Sequence, residues 1–399
     1  MLSIDQFYPY LSKPFKAVIT AHQKPDGDAM GSSLALYHFL VQLGHDVHVI
    51  SPTNWAQFLD WMPGTEHVID FESNKIKATK IVQNADYVFC LDFNILHRTK
   101  HMEPVIKDSK AIKILIDHHQ QPDIASFGFG VSDVKMSSTC EMIYDFIVQS
   151  GHSNLMNIDI ATCLYTGLMT DTGSFRFPSC TASVHKIVAH LKELGLEHGK
   201  IHEAIYDQST EGRLKFMGNA FLNRMHVFPE YKTAVMAIPK SDIYKFELKT
   251  GDTEGLVNYL LSIQGVKFAA IVIDREEERK WSFRSKGNFD VNIFARTHFE
   301  GGGHANAAGG SSLKSVEQTF NDFKSILETY KTQLIAPYLQ DKEYLTSLIK
   351  EAYDRTKTEI RASHILVRLP KNYTSKDTLS SFLKIQKARQ RVLSGESFT

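Results

Sequence analysis

The sequence predicts an α/β fold: a domain built on a mostly parallel sheet, a smaller α+β domain, a cleft between them and a partly ordered C-terminal tail. Three observations carry this prediction. Apolar runs at residues 87–91 and 112–116 lack the polar alternation of a half-solvated strand, which suits strands buried on both faces of a parallel sheet. Such runs alternate with helix-length segments through the first half of the chain. From about residue 226 the pattern changes to hairpins and a glycine-rich segment, as a separate α+β unit would show.

In chain order, residues 15–21 are β-branched and apolar and read as the first strand. The turn Pro25-Asp26-Gly27-Asp28 follows, then a helix through 32–40 closed by Gly44. Residues 47–50, 87–91 and 112–116 supply further strands. The apolar segment 158–169 reads as a helix ending on Asp171, and 185–225 as connecting helices. Residues 227–238 read as a hairpin, and 268–273 and 281–284 as strands around the charged turn 274–280. After the glycine-rich stretch 301–310, a helix starts near Ser315 with Gln318 as capping-box partner. It carries Phe320, Phe323, Leu327 and Tyr330 on one face. Pro337 marks a break. These readings give a first domain at 1–190, connecting helices at 191–225, a second domain at 226–333 and the tail at 334–399.

Composition narrows the class. With 399 residues, 43% hydrophobic and 23% charged, the chain has the make-up of a globular protein of two or three domains. A formal net charge of zero supplies no field for long nucleic acid or an anionic membrane. No apolar stretch is long enough to cross a bilayer. Cys90, Cys140, Cys163 and Cys180 are scattered without a CxxC pair and read as buried thiols in a reducing compartment. The N-terminal segment lacks the apolar core of a signal peptide, so a cytoplasmic protein is expected.

The chemistry concentrates in four short segments: His22-Gln-Lys-Pro-Asp26-Gly-Asp28, Leu91-Asp92, Asp117-His118-His119 and Thr170-Asp171-Thr-Gly. The first three follow strand ends, where ligands sit in open α/β sheets, and the fourth ends a helix. An unpartnered carboxylate is costly to desolvate, so apolar runs that stop on carboxylates and histidines point to bound cations. Pro25 and Gly27 keep the backbone irregular, so Asp26 and Asp28 can aim at different ions. Asp92 has two oxygens with which to bridge, and His22, His118 and Asp171 complete a six-residue, oxygen-rich set. Such a set favours Mn²⁺ or Mg²⁺, whereas a structural zinc site would draw on cysteines. Two ions a few ångström apart suit phosphoester hydrolysis, because they generate a hydroxide near neutral pH and neutralise phosphoryl charge. Asp92 and His119 are the expected catalytic residues. His119, left over from the ligand set, would hydrogen-bond the leaving group or act as its general acid.

In the second domain, Arg284 offers a planar fork of donors for a terminal phosphate, and Ser285 a hydroxyl. Gly302 and Gly303, within Gly301-Gly-Gly-His304, let backbone amides approach an anion, and His304 can donate to phosphate or stack on a base. Three other stretches have a local explanation beside a substrate-facing one. Ser138-Thr-Cys-Glu141 fits a helix N-cap, Gly31-Ser32 a helix start and His97-Arg98 a solvated turn.

Together these motifs resemble the DHH phosphoesterases. His22-x-x-x-Asp26-x-Asp28, Asp92, Asp117-His118-His119 and Asp171-Thr-Gly are similar to the family's core motifs. Ser282-Phe-Arg-Ser285 and Gly301-Gly-Gly-His-Ala-Asn-Ala-Ala-Gly309 are similar to the associated DHHA1 domain. The resemblance spans about residues 1–333 and is to the compact, NrnA-like type. It implies two Mn²⁺ ions, one held by His22, Asp26 and Asp92, the other by Asp28, Asp92, His118 and Asp171. It also implies an oligoribonuclease (nanoRNase) that dephosphorylates 3′-phosphoadenosine 5′-phosphate (pAp) to AMP, with hydrolysis of linear or cyclic dinucleotides as the alternative. The expected partners are RNA of about two to five nucleotides and nucleoside bisphosphates. A fixed distance from clamp to metals selects short chains, and no basic stripe holds a long strand. Long duplex nucleic acid and membranes are not expected as partners, and a homodimer is left open.

The tail is expected to stand apart. Glu359-Ile-Arg-Ala-Ser-His364-Ile-Leu-Val resembles the opening strand of a parvulin-type prolyl isomerase, and residues 384–398 resemble the helix that follows it. One strand and one helix bury no core, so no isomerase activity is expected.

Overall fold

Seven strands run parallel in the first domain of the computed structural model, which describes residues 1–249, 251–275 and 278–335. They are β1 (Leu2–Ser3), β2 (Lys16–Thr20), β3 (Asp46–Ser51), β4 (Ile69–Asp70), β5 (Tyr87–Leu91), β6 (Ile112–Asp117) and β7 (Phe129–Ser132). Their order is β1-β7-β6-β5-β2-β3-β4, with every pairing parallel. β2 pairs with β3 on one side and β5 on the other, so the winding direction reverses at β2 and a crevice lies past its C-terminal end. The apolar runs behave as two-faced burial requires. Phe89, Leu91, Ile114 and Ile116 join one core, and Val88, Cys90 and Leu115 join the core on the opposite face.

Three helices matter for the crevice: α1 (Gly27–Gln42), α2 (Thr139–Gln149) and α3 (Ile158–Asp171). α1 begins earlier than the sequence suggests, because Asp26 is its N-cap and accepts from the amides of Asp28 and Ala29. Asp26 is thus extended and Asp28 helical, and this contrast, rather than an irregular turn, aims their side chains apart. α1 and α3 approach at backbone distance. A Cβ on Gly31 would stand 2.5 Å from Cys163 O, and one on Gly167 3.0 Å from Asp28 Cα. Gly31 therefore serves helix packing rather than phosphate binding.

The second domain holds a mixed sheet of β8 (Met225–Phe228), β9 (Thr233–Ile238), β10 (Phe268–Asp274), β11 (Arg279–Ser285), β12 (Gly302–His304) and β13 (Ala307–Ser312). Its order is β12-β13-β11-β10-β9-β8, and only β9 and β10 pair in parallel. The glycine-rich stretch is thus a hairpin rather than a bare loop. A Cβ on Gly301 would meet Gly309 O at 1.9 Å, so the close return of the chain needs glycine there. α4 (Val291–His298) and α5 (Val316–Thr329) pack on this sheet, and Ser315 and Gln318 close the capping box in front of α5. Phe323 and Leu327 bury against Trp281, Phe283 and Phe294.

Between the sheets, the helix His198–Tyr206 packs on the first core through Ile201, and Glu211–Asn223 on the second through Phe216 and Ala220. The break between cores falls between these two helices. All four cysteines are free; Cys180 is only half-buried, unlike the other three. Among the described residues no helix is long and apolar enough to cross a membrane. The prolyl-isomerase resemblance lies outside the described residues.

Candidate metal centre

The four chemical segments meet beyond the ends of β2, β5 and β6. His22 follows β2, Asp92 follows β5, and Asp117 closes β6 with His118 and His119 behind it. Asp28 enters from the first turn of α1 and Asp171 from the last turn of α3. The glycine contacts between these helices let two acidic positions come together, since a Cβ on Gly167 would lie 2.7 Å from Asp28 Oδ1.

Asp92 is the common neighbour. His22 Nε2 lies 3.5 Å from its Oδ2, and His118 Nε2 3.4 Å from its Oδ1. His22 Nε2 also lies 3.9 Å from Asp26 Oδ2. His118 Nε2 lies 3.7 Å from Asp28 Oδ2 and 3.5 Å from Asp171 Oδ2. Among the described residues four groups of donor atoms are compact enough to hold an ion. Two are the expected ones, His22–Asp26–Asp92 and Asp28–Asp92–His118, with Asp171 beside the second, and the others are Asp92–Asp117–His119 and His118–His119–His304. Asp92 has φ of 59°, a left-handed conformation that Asp tolerates better than most residues and that backbone at functional sites often adopts.

The outer contacts orient the donors. His22 Nδ1–H donates to Gln23 O at 2.8 Å, and His118 Nδ1–H to Met136 O at 3.2 Å. With Nδ1–H so engaged, both rings turn Nε2 to the carboxylates. That nitrogen is protonated and donating in the metal-free protein, where the carboxylates raise both histidines, and would be the ligand atom once an ion displaces its proton. Asp28 accepts from the amides of Thr139 (2.7 Å) and Cys140 (2.9 Å) at the start of α2, and Thr139 Oγ1 donates to Asp92 Oδ1 at 3.1 Å. The Ser138 segment plays two parts: Ser138 caps α2 through Glu141 N, and the residues after it brace the carboxylates. Asp117, to which the sequence reading gave no task, accepts from His119 Nδ1 at 2.7 Å and from its amide at 3.1 Å. A carboxylate two residues before a histidine was the available signal.

Electrostatics mark the cluster as short of positive charge. Burial, reinforced by the charges of Asp92 and Asp171, pushes the Asp28 carboxyl well above its ordinary range. Burial likewise pushes Asp171 up to about 7. Burial would also raise Asp92, but the facing His118 and His22 rings hold it well below the usual carboxylate range. Burial lowers His119, which is neutral at pH 7 with its Nε2 lone pair free of Asp117.

The second domain reaches this centre through the β12–β13 hairpin. The His304 ring stacks on His119 with centroids 4.4 Å apart and lies 4.7 Å from His118. Burial and the two neighbouring histidines press His304 down to about 2, so it is neutral. The other expected clamp residues divide. Arg284 donates to Phe283 O at 3.0 Å and forms no ion pair among the described residues, although Asp171, Glu254 and Asp26 act on its charge. Ser285 faces inward instead: its buried hydroxyl donates to Phe289 O at 2.6 Å and accepts from Asn306 at 2.8 Å, shaping the loop after β11. Gly303 N–H is engaged by Asn292 Oδ1 at 3.0 Å rather than left for an anion, and Gly302 pairs with Gly309 in the hairpin. His97 turns away to Glu103, 3.0 Å from its Nδ1. Arg98 turns inward, with Nη1 donating to Asp92 O at 3.4 Å and its own carbonyl accepting from Gln23 N at 2.9 Å.

Comparison with known proteins finds the same two domains. Residues 16–168 match the DHH family N-terminal domain and 231–333 the DHHA1 domain. The chain is 28% identical over 317 residues to the bifunctional oligoribonuclease and PAP phosphatase NrnA of Thermus thermophilus, covering 79% of this chain and 89% of that one. It is 26% identical over 317 residues to the protein of the same name from Bacillus subtilis, covering 79% and 95%. The crystal structure of an exopolyphosphatase-related protein from Bacteroides fragilis is 37% identical, with a TM-score of 0.79 over 83% of this chain and 97% of that one. With both domains in order and the fold shared, the chain belongs to the DHH family of phosphoesterases.

Proposed function

We propose that the protein hydrolyses short oligoribonucleotides to mononucleotides and pAp to AMP, with two Mn²⁺ ions as its metals. The observation that carries this reading is the sharing of Asp92 by two donor groups at the point where the sheet reverses, beneath a hairpin from the second domain. The names of the two NrnA relatives support the substrate class.

The donor set fits divalent ions. Four carboxylates face two imidazoles whose Nε2 atoms point inward. Ligand atoms about 2.1 Å from a common ion stand roughly 3–3.5 Å apart, close to the separations of 3.4–3.9 Å found here. His22, Asp26 and Asp92 would hold one ion, and Asp28, Asp92, His118 and Asp171 the other. When bound, such a pair supplies Lewis acidity that lowers the pKa of water and neutralises phosphoryl oxygens. The remaining work falls to the chain. Arg98, beside His22 and His119, keeps most of its donors for oxygens of the scissile phosphate, and Arg284 takes a distal phosphate. With Nδ1–H on Asp117, His119 has Nε2 for the leaving group, where its neutral form accepts a hydrogen bond and its protonated form would act as the general acid. His304 offers a flat, neutral ring for a base.

The test is a substrate panel with Mn²⁺: pAp, RNA dimers to pentamers, and linear and cyclic dinucleotides. Release of AMP from pAp and of mononucleotides from the short RNAs is expected. Turnover of the dinucleotide messengers alone would overturn the substrate assignment, and full activity of Asp92→Ala would overturn the site.

A further inference from the structure

Away from the carboxylates, the two domains meet at a buried side-chain amide. Asn292, in the first turn of α4, is 1% exposed and spends its amide on three partners. Its Oδ1 accepts from Gly303 N at 3.0 Å and from Arg296 Nε at 3.0 Å. Its Nδ2 donates across the domain boundary to Gln120 Oε1 at 2.9 Å. Gln120 directly follows His119, and its backbone carbonyl accepts from Asn94 Nδ2 at 2.7 Å, two residues past Asp92. One side chain thus links the hairpin that bears His304 to the loop that bears His118 and His119. A buried amide left half-paired is costly, which makes this contact specific in register as well as attractive.

We propose that Asn292 and Gln120 form a clasp that positions the glycine hairpin, and His304 with it, over the metal centre, and so sets the affinity for nucleotide substrates. The proposal rests on the phosphoesterase reading above and deepens it. Neither residue touches reacting atoms; both are positioning residues. Gln120 is the informative one to change, because Gln120→Ala removes the interdomain bond and leaves Asn292 bonded to Gly303 and Arg296.

The experiment compares wild type, Gln120→Ala and Gln120→Glu on pAp and on p-nitrophenyl phosphate, a monoester with neither a nucleobase nor a second phosphate for the second domain to hold. Loss of one hydrogen bond is worth roughly a fivefold to tenfold change. Gln120→Ala should therefore raise KM for pAp by about that factor with kcat nearly unchanged, and leave p-nitrophenyl phosphate hydrolysis as in wild type. Gln120→Glu keeps an acceptor for Asn292 Nδ2 and should restore KM. An unchanged KM for pAp, or an equal loss on both substrates, would overturn the clasp. Should wild type cleave p-nitrophenyl phosphate but no nucleotide, the substrate reading fails instead. Amide hydrogen exchange over residues 302–309 then decides the clasp by itself: faster exchange in Gln120→Ala supports it, and an unchanged rate refutes it.

Discussion

Asp92 concentrates the demands of the site in one side chain. It carries left-handed backbone, a hydrogen bond from Thr139, and two imidazoles aimed at different oxygens. Changing the neighbours of a metal ligand costs roughly 10–100-fold in metal affinity or activity, so Asp92→Ala should lose more than that, with calorimetry showing both ion sites weakened. Protons are the second residue-scale test. Asp28 and Asp171 sit above their ordinary range, Asp171 at about 7, so each holds its proton to higher pH than an ordinary carboxyl and an ion must compete with it. Metal affinity should therefore fall as pH drops through about 7, and binding at mildly acid pH should release protons, read by calorimetry in buffers of different ionisation enthalpy. The donors were legible in the sequence because carboxylates and histidines end apolar runs. The inward turn of Ser285 was not, since its partner, Phe289 O, is set by the shape of a loop.

At the level of elements, the site depends on how closely α1 and α3 approach. Gly167→Ala would push a methyl into Cys140 Sγ and Asp28 Oδ1, which overpacking of this kind makes destabilising by about 1–3 kcal/mol. Thermal unfolding should show that loss, and metal binding should weaken with it because Asp28 must move. Thr139→Val removes the hydroxyl that braces Asp92 and keeps the shape, so metal affinity should fall roughly 10–100-fold with little change in unfolding temperature. Most strands and helices could be read from periodicity, and the capping box before α5 from two residues. The β12–β13 hairpin could not, because glycine has no strand preference of its own and pairing with β11 supplies the order. The role of Gly167 was hidden for a related reason: a glycine inside an apolar helix shows its purpose only when the facing helix is in place.

On the scale of the whole molecule, a parallel sheet places three donor segments at one crevice and a second domain lays a histidine over them. The sheet class and the change of pattern near residue 226 were readable from apolar runs. The contact between domains was not, because Gln120 and Asn292 lie 172 residues apart and each looks like an ordinary polar residue in its own neighbourhood. Both domains contribute to the site, the first the candidate metal donors and the second the hairpin and Arg284. The most direct test is to strip the protein with a chelator, then titrate Mn²⁺ while following AMP release from pAp, in wild type and Asp92→Ala. Activity that is absent without metal, returns as two ions bind per chain, and never returns in Asp92→Ala is the predicted result. Activity in the stripped wild type, or recovery by Asp92→Ala, would contradict a centre built on that shared carboxylate.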